Sequence, residues 1–510
     1  MSAIDRFLNS SRSLWIFLGI HFVIWMGVAL LLDVHPDMAD HWVWSRFLQW
    51  GYYEHPPLIA LNMRLWTMVV GSSVLALKVG SVLYSTVILL VCYRVGVLFF
   101  DRRVALIFLL ILETTPYFSM GSVFWHIDQP YMLCWLGCLY AVGRYTKSGN
   151  SNWFFLFGVI AGLGALSKYI MILLPICLLV WCVINREARK LLTDWRVYLA
   201  ALIALAIVSP NLYWNSQNDW RTFTFVFEKG LTGSEHGENF IQFFFSQFLL
   251  FSLVYSVYFW SLVVRRRMGA ARLSAAGRGG PMAHSFLLVT GILPVLNFTV
   301  TSFMGSLTDP HWVNVAYFSA FLLLARWISL NISDGALRKQ VWLFSAAALL
   351  NTLLVILTLA HVLFRVAPVS EPGVISLKKM VGWTETARQI EALLAEQAIK
   401  MPPFVISREY QTASGLSLYL KEQPMPHAIE KQVRNVWSLP SQIDARGAVL
   451  VCPPEDCTNI LRKAHDRFRS QFKKLGLIEA VRHGVVFRKL NVYYLPPVRP
   501  ASAGDQPPSS

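Results

Sequence analysis

Charged side chains are scarce in this sequence. They make up 15% of its 510 residues, against roughly 25% in soluble proteins, and the shortage excludes an ordinary water-soluble fold. Acidic residues are the scarcer sign, 29 Asp and Glu against 45 Lys and Arg, which leaves a net charge of +16. Cysteine is sparse too. Of the seven, Cys92, Cys134, Cys138, Cys177 and Cys182 lie in apolar runs, where packing is their expected role. Cys452 and Cys457, in VCPPEDC, are read either as a disulfide of an oxidising compartment or as two free thiols. No internal repeat is visible, which weighs against a transporter built of paired halves. The first apolar run lacks a small-residue cleavage site and is expected to be a retained span.

Apolar residues are abundant: 55% of the chain, with a mean hydropathy of +0.48. Residues 14–32 carry no charge, and further apolar runs occupy roughly 79–100, 104–124, 130–143, 153–184, 197–214, 240–264, 285–304, 313–325 and 341–364. A helical span needs about 20 such residues, so the chain reads as a multi-pass membrane protein. The run 153–184 is expected to be a helical hairpin turning near Ser167-Lys168-Tyr169. That choice gathers Arg102, Arg103, Arg144, Lys147, Arg186, Arg189, Lys190, Arg196, the Arg265-Arg266-Arg267 cluster, Arg338 and Lys339 on the side of Arg6 and Arg12. The positive-inside rule makes that side cytoplasmic. The expected topology is about eleven spans, with the N-terminus inside and the C-terminal tail outside. The positive charge is then a matter of topology and implies no nucleic acid.

The apolar runs end near residue 366, so the expected domains are a membrane domain over 1–365, a periplasmic α/β domain over 366–495 and a disordered tail over 496–510. In the second, PPFVISREYQTASGLSLYL reads as a strand and an amphipathic helix, GAVLVCPP as a buried strand, 457–475 as a helix and GVVFRKLNVYYL as a closing strand. The Pro/Ser-rich end and the loop RRRMGAARLSAAGRGGP are expected to be unstructured.

On this topology the loop 33–73 faces outward. Ala39, Val43, Phe47 and Trp50 fall on one helical face, with His41, Ser45 and Gln49 opposite, the pattern of a helix lying in the membrane interface. Asp37 follows Pro36. It reads as an N-cap helped by Asp40, and also as a carboxylate poised at the lipid boundary to act as a general base. In WGYYEHPPL, Pro56-Pro57 stiffens the turn that carries Glu54 and His55. Plainer roles for these two are pairing of Glu54 with Arg46 or Arg64 and an interfacial place for His55. HIDQPYM sets His126 and Asp128 before a span, where Asp128 reads as another cap. Lys168 sits at the hairpin tip, either snorkelling or meeting an anionic phosphate. Asp309, His311 and Trp312 mark a further outer end, and Glu113 sits mid-span, expected to face the protein interior. Together these groups outline a site for an amphiphile whose charged head lies at the outer leaflet.

The stretches HPDMADHWVWSRFLQWGYYEHPPLIALNMRLW, HIDQPYM, GLGALSKYIMILLP, SPNLYWNSQNDWRTFTF and DPHWVNVAYF resemble, in order and spacing, the motifs of bacterial glycosyltransferase family 39. Its members include relatives of protein O-mannosyltransferases and of the aminoarabinose lipid A transferase, in the GT-C fold class. The resemblance runs over residues 1 to about 330. It implies an all-α polytopic domain followed by a small α/β domain. It also implies a polyprenyl-phosphate sugar donor used at the outer face of the cytoplasmic (inner) membrane, and an acceptor that is lipid A, another glycolipid or a protein. By position, Asp37 matches the family's first acidic residue, the base, and Asp128 its second outer acidic residue. Lys168 matches the lysine of an SK motif. Glu54 matches an acid that helps some members hold a metal. Met38 stands where the family often has Glu, and His55 where some relatives have Lys. The expected catalytic residues are thus Asp37 and Asp128. Lys168, His55 and His311 are expected to hold donor phosphate, and Glu54 a divalent metal ion; no organic cofactor is expected. The rival readings are a flippase of lipid-linked sugars and a non-catalytic sensor whose exported domain binds a partner.

Overall fold

The computed structural model describes residues 10–231, 236–265, 280–305, 308–333, 338–364, 379–430, 438–468, 471–482 and 484–498. Arg266, Arg267, most of the basic loop, the boundary near 366 and the tail beyond 498 lie outside them. The chain divides into two compact units that do not follow chain order. The first comprises Met1–Gly27, Gln49–Ile59 and Gly80–Leu357; the second comprises Val28–Leu48, Ala60–Val79 and Thr358–Ser510.

The first unit is helical. Across the described chain, six helices are long and apolar enough to cross a bilayer, or up to eight when each sharply bent pair counts as one span. This is a multi-pass membrane protein. One bend, of 77°, separates Arg102–Thr114 from Pro116–Val123, where Pro116 has no N–H to continue the helical ladder. Another, of 106°, separates Phe240–Leu250 from Leu253–Val264. The run 153–184 breaks into helices Trp153–Ala165 and Leu173–Ile184, with Lys168 at the break. Pro310–Asn331 is 94% buried, so this span is apolar all round because protein, not lipid, surrounds it. Helices Trp153–Ala165 and Trp195–Ser216 approach backbone to backbone. A Cβ on Gly158 would lie 2.4 Å from the Ala200 carbonyl oxygen, and only small residues permit such contact.

The second unit holds a five-stranded mixed sheet in the order β2-β1-β3-β5-β4. Its strands are β1 (Phe404–Ser407), β2 (Met425–Ala428), β3 (Ala448–Cys452), β4 (Lys473–Arg482) and β5 (Val485–Leu495). β1 pairs parallel with β2 and β3; β5 pairs antiparallel with β3 and β4. Alternate residues point to opposite faces. Val405, Val449 and Val451 pack with Trp383, Ile390 and Leu416 of two helices. Phe404, Ile406 and Leu450 pack with Ile443 and Ile460 of two others. The result is a three-layer α/β/α domain. Cys452 and Cys457 are disulfide-bonded.

Three sequence expectations change here. The helix expected over 457–475 ends at His465, and residues from Lys473 form β4. Helix Trp383–Glu396 and strand β2 are additions. The face expected to meet water on the segment after the first span meets protein instead. That segment forms helix Pro36–Arg46, in which His41 and Ser45 are as buried as Ala39 and Val43. Helix Tyr410–Tyr419 packs against it, so protein covers the face that periodicity assigned to water.

Candidate active site

The loop WGYYEHPP is held by its backbone. Asn211 Nδ2 donates to the Trp50 carbonyl at 2.6 Å and Thr222 Oγ1 to the Tyr52 carbonyl at 2.7 Å. Tyr169 OH donates to Asn211 Oδ1 at 2.6 Å, and Asn215 Nδ2 to Tyr169 OH at 3.2 Å. Buried amides and hydroxyls are costly unless satisfied; here each satisfies the next and the loop at the end of the chain. SPNLYWNSQNDWRT thus serves as a clamp on WGYYEHPP. Gly51 lies under the Trp214 indole, and a Cβ there would sit 2.4 Å from its ring. Gly51→Ala is therefore expected to displace the loop, at a cost of about 1–3 kcal/mol for overpacking, and to abolish product formation in cells. Adding Trp214→Leu should recover part of it, as measured by product yield.

Beside that loop, His55 brings its ring to 6.4 Å from that of His126, and His126 leads to a buried carboxylate. Asp128 is the first residue of helix Asp128–Ser148, yet its side chain makes no capping bond. The capping role read from sequence is replaced by ion pairing. Oδ1 accepts from Lys168 Nζ at 2.7 Å. Oδ2 accepts from Tyr117 OH at 3.2 Å and lies 3.5 Å from His311 Nε2 and 3.7 Å from His126 Nδ1. Asn314 Nδ2 donates to Tyr117 OH at 2.8 Å. Lys168 does not snorkel: it is 6% exposed, and its ammonium lies 5.8 and 6.0 Å from the Trp312 and Tyr131 rings. Asp128 is 5% exposed. Each charge is tolerable in such surroundings because the other is there.

Asp37 belongs to the second unit. It is not an N-cap: His35 takes that position, its Nδ1 accepting from the Asp37 N–H at 3.2 Å. Asp37 Oδ1 accepts from Gln411 Nε2 at 2.7 Å and from Tyr410 OH at 3.2 Å. Burial, then Asp37 and Asp40, push the Tyr410 phenol well above its ordinary value, so it stays a donor at any working pH.

The structure thus brings Asp128, Lys168, His311 and, at the edge, His55 together in the first unit, with Glu54 next to His55 in the loop. Among the described residues no group of three or more His, Cys, Asp or Glu side chains comes together as a metal would need. Arg46, a sequence partner for Glu54, donates to the Gln423 carbonyl at 3.1 Å. Glu113 faces protein partners: it accepts from Trp25 Nε1 at 2.7 Å and lies 2.7 Å from His21 Nδ1. Sequence reasoning missed Tyr117, Asn314, Tyr169, Asn211, Thr222, Tyr410 and Gln411 as parts of these sites. The signal was there for some of them, as polar residues interrupting apolar runs.

Residues 54–214 match the model of a family described as dolichyl-phosphate-mannose-protein mannosyltransferase. The lipid A galacturonosyltransferase RgtD of Rhizobium johnstonii is 26% identical over 264 residues, covering 49% of this chain and 55% of that protein. The lipopolysaccharide core galacturonosyltransferase RgtB of the same organism is 28% identical over 211 residues, covering 40% and 42%. The chain thus spans about half the length of the curated relatives it matches. The crystal structure of ArnT from Cupriavidus metallidurans bound to undecaprenyl phosphate superposes with a TM-score of 0.56 at 14% identity, over 95% of this chain and 98% of that one. A helical membrane domain followed by a small mixed sheet is the fold this chain shares with that structure.

Proposed function

We propose that this protein transfers a sugar from a polyprenyl-phosphate donor to lipid A or another envelope glycolipid, with its active site facing the periplasm. The observation that carries the reading is the buried Asp128 carboxylate with Lys168 at 2.7 Å and two imidazoles within 3.7 Å. These groups set an ammonium and two imidazoles in a preorganised site of low dielectric, where donors to a developing phosphate charge are worth most. The acceptor hydroxyl oxygen forms a bond to the anomeric carbon as the bond from that carbon to the phosphate oxygen breaks. The electron pair leaves with polyprenyl phosphate, and the hydroxyl proton passes to Asp37. Attack opposite the leaving group inverts the anomeric centre. Lys168, His311 and His55 hold the phosphate, and Asp128 keeps Lys168 and the imidazoles in place. Glu54 is the residue that would hold a divalent ion, and no step is routed through one here.

The named relatives act on lipid A or the lipopolysaccharide core as galacturonosyltransferases, so galacturonic acid is the donor sugar to test first. Mass spectra of lipid A from cells with and without the gene should differ by one sugar. Unchanged lipid A and core would overturn the glycolipid reading. A second reading, transfer to protein serine or threonine, is favoured by the family description; it expects the mass change on exported proteins instead. The topology that goes with either reading has about eleven spans. Reporter fusions at residues 270 and 370 should then give opposite signals, inside and outside, and matching signals would sink it.

A further inference from the structure

We infer that Gln411 and Lys379 of the C-terminal α/β domain form a positioning relay for Asp37; this rests on the base role proposed for Asp37. Lys379 Nζ donates to Gln411 Oε1 at 2.5 Å, and Gln411 Nε2 donates to Asp37 Oδ1 at 2.7 Å. An ammonium group only donates, so it fixes the amide with its oxygen toward Lys379 and its NH2 toward the carboxylate. The polarity of the relay is therefore set by chemistry.

Anchoring alone does not call for this arrangement. The same segment is already tied to the α/β domain by two other carboxylates. Asp33 accepts from the Trp383 N–H at 2.7 Å and from Thr384 Oγ1 at 2.8 Å, and Asp40 accepts from Ser414 Oγ at 2.8 Å. Asp37 and Asp40 are three residues apart, as are Gln411 and Ser414, so two helices present matched rungs one turn apart. The rungs differ in exposure. Asp40 and Ser414 are buried at 3% and 1%, whereas the Asp37 side chain keeps 25% exposure. The buried rung anchors, and the accessible rung holds a carboxylate that a substrate hydroxyl can reach.

A direct lysine–carboxylate pair would neutralise a base. An amide between them orients the carboxylate and passes on only part of the positive charge, which leaves it able to take a proton. The ionisable groups around it are His35, whose Nδ1 lies 3.7 Å from Oδ2, together with Tyr410, Asp40 and His41 on the packed helices and Lys379 behind the amide.

Infrared difference titration of the purified full-length protein, with the Asp37→Asn protein subtracted, reads the Asp37 carboxylate directly. Gln411→Leu and Lys379→Met should each raise its midpoint by about one pH unit, the first because a donor to the ionised form is lost and the second because the positive charge behind the amide is lost. Ser414→Ala, which removes the anchoring rung, should lower the thermal midpoint and leave the titration in place. In cells, lipid A modification should fall about tenfold or more in Gln411→Leu and Lys379→Met at unchanged membrane level. An unmoved titration in both variants, with Asp37→Asn inactive, overturns the relay alone. An active Asp37→Asn protein overturns the base reading and the relay with it.

Discussion

Lys168→Met is expected to destabilise the membrane domain by about 3–5 kcal/mol, because it leaves the Asp128 carboxylate buried without its ammonium partner. Methionine suits an apolar helix in lipid, so a snorkelling lysine would tolerate the change; a lysine paired at 2.7 Å and 6% exposed does not. Thermal unfolding in detergent and the amount of protein in the membrane both measure the loss. Adding Asp128→Asn removes the orphaned charge and should restore most of the stability, a non-additivity expected of residues in direct contact. Activity should stay absent in the double variant, since the ammonium proposed to meet the donor phosphate is gone. Lys168→Arg keeps the charge and should retain part of both stability and activity. A Lys168→Met protein as stable as the parent would show that the pair does not hold the fold.

Asp37→Asn is expected to fold normally and to lose activity at least about a hundredfold, the range of a general base. Normal folding follows from the contacts. Asp37 does not cap its helix, and the asparagine carbonyl still accepts from Gln411 and Tyr410. The lost property is basicity. Turnover measured with undecaprenyl-phosphate-linked galacturonic acid and lipid A, alongside the thermal midpoint, separates the two. Near-parental turnover would leave Asp37 a structural acceptor only.

The membrane class was legible because apolar runs near span length are a local property, written residue by residue. Asp128 and Lys168 were legible as types: a carboxylate and a lone lysine beside apolar runs stand out. Their pairing was not, because 40 residues separate them and only packing brings them together. The donors to Asp37 lie more than 370 residues downstream, where nothing local marks Gln411 as a partner. Periodicity misled at helix Pro36–Arg46. Its apolar stripe is real, but the opposite face meets Ser414 and its neighbours rather than water. β2 escaped because a four-residue strand containing Pro426 carries little strand signal, and proline is tolerated there only because β2 is an edge of the sheet. β4 is the other edge and opens on Lys473 and Lys474, charges that blunt edge pairing and also hide the strand.

The tie between Asp37 and Gln411 also sets an order of events in biosynthesis. A chain leaves the ribosome at about 5–20 residues per second. The 374 residues between the two partners therefore take about 20–75 s to emerge. A chain interrupted before residue 383 lacks the donors to Asp33, Asp37 and Asp40 alike. One interrupted between residues 385 and 409 has those of Asp33 but still lacks Tyr410, Gln411 and Ser414. Assembly of the Asp37 carboxylate with its donors thus waits until four-fifths of the chain has been made.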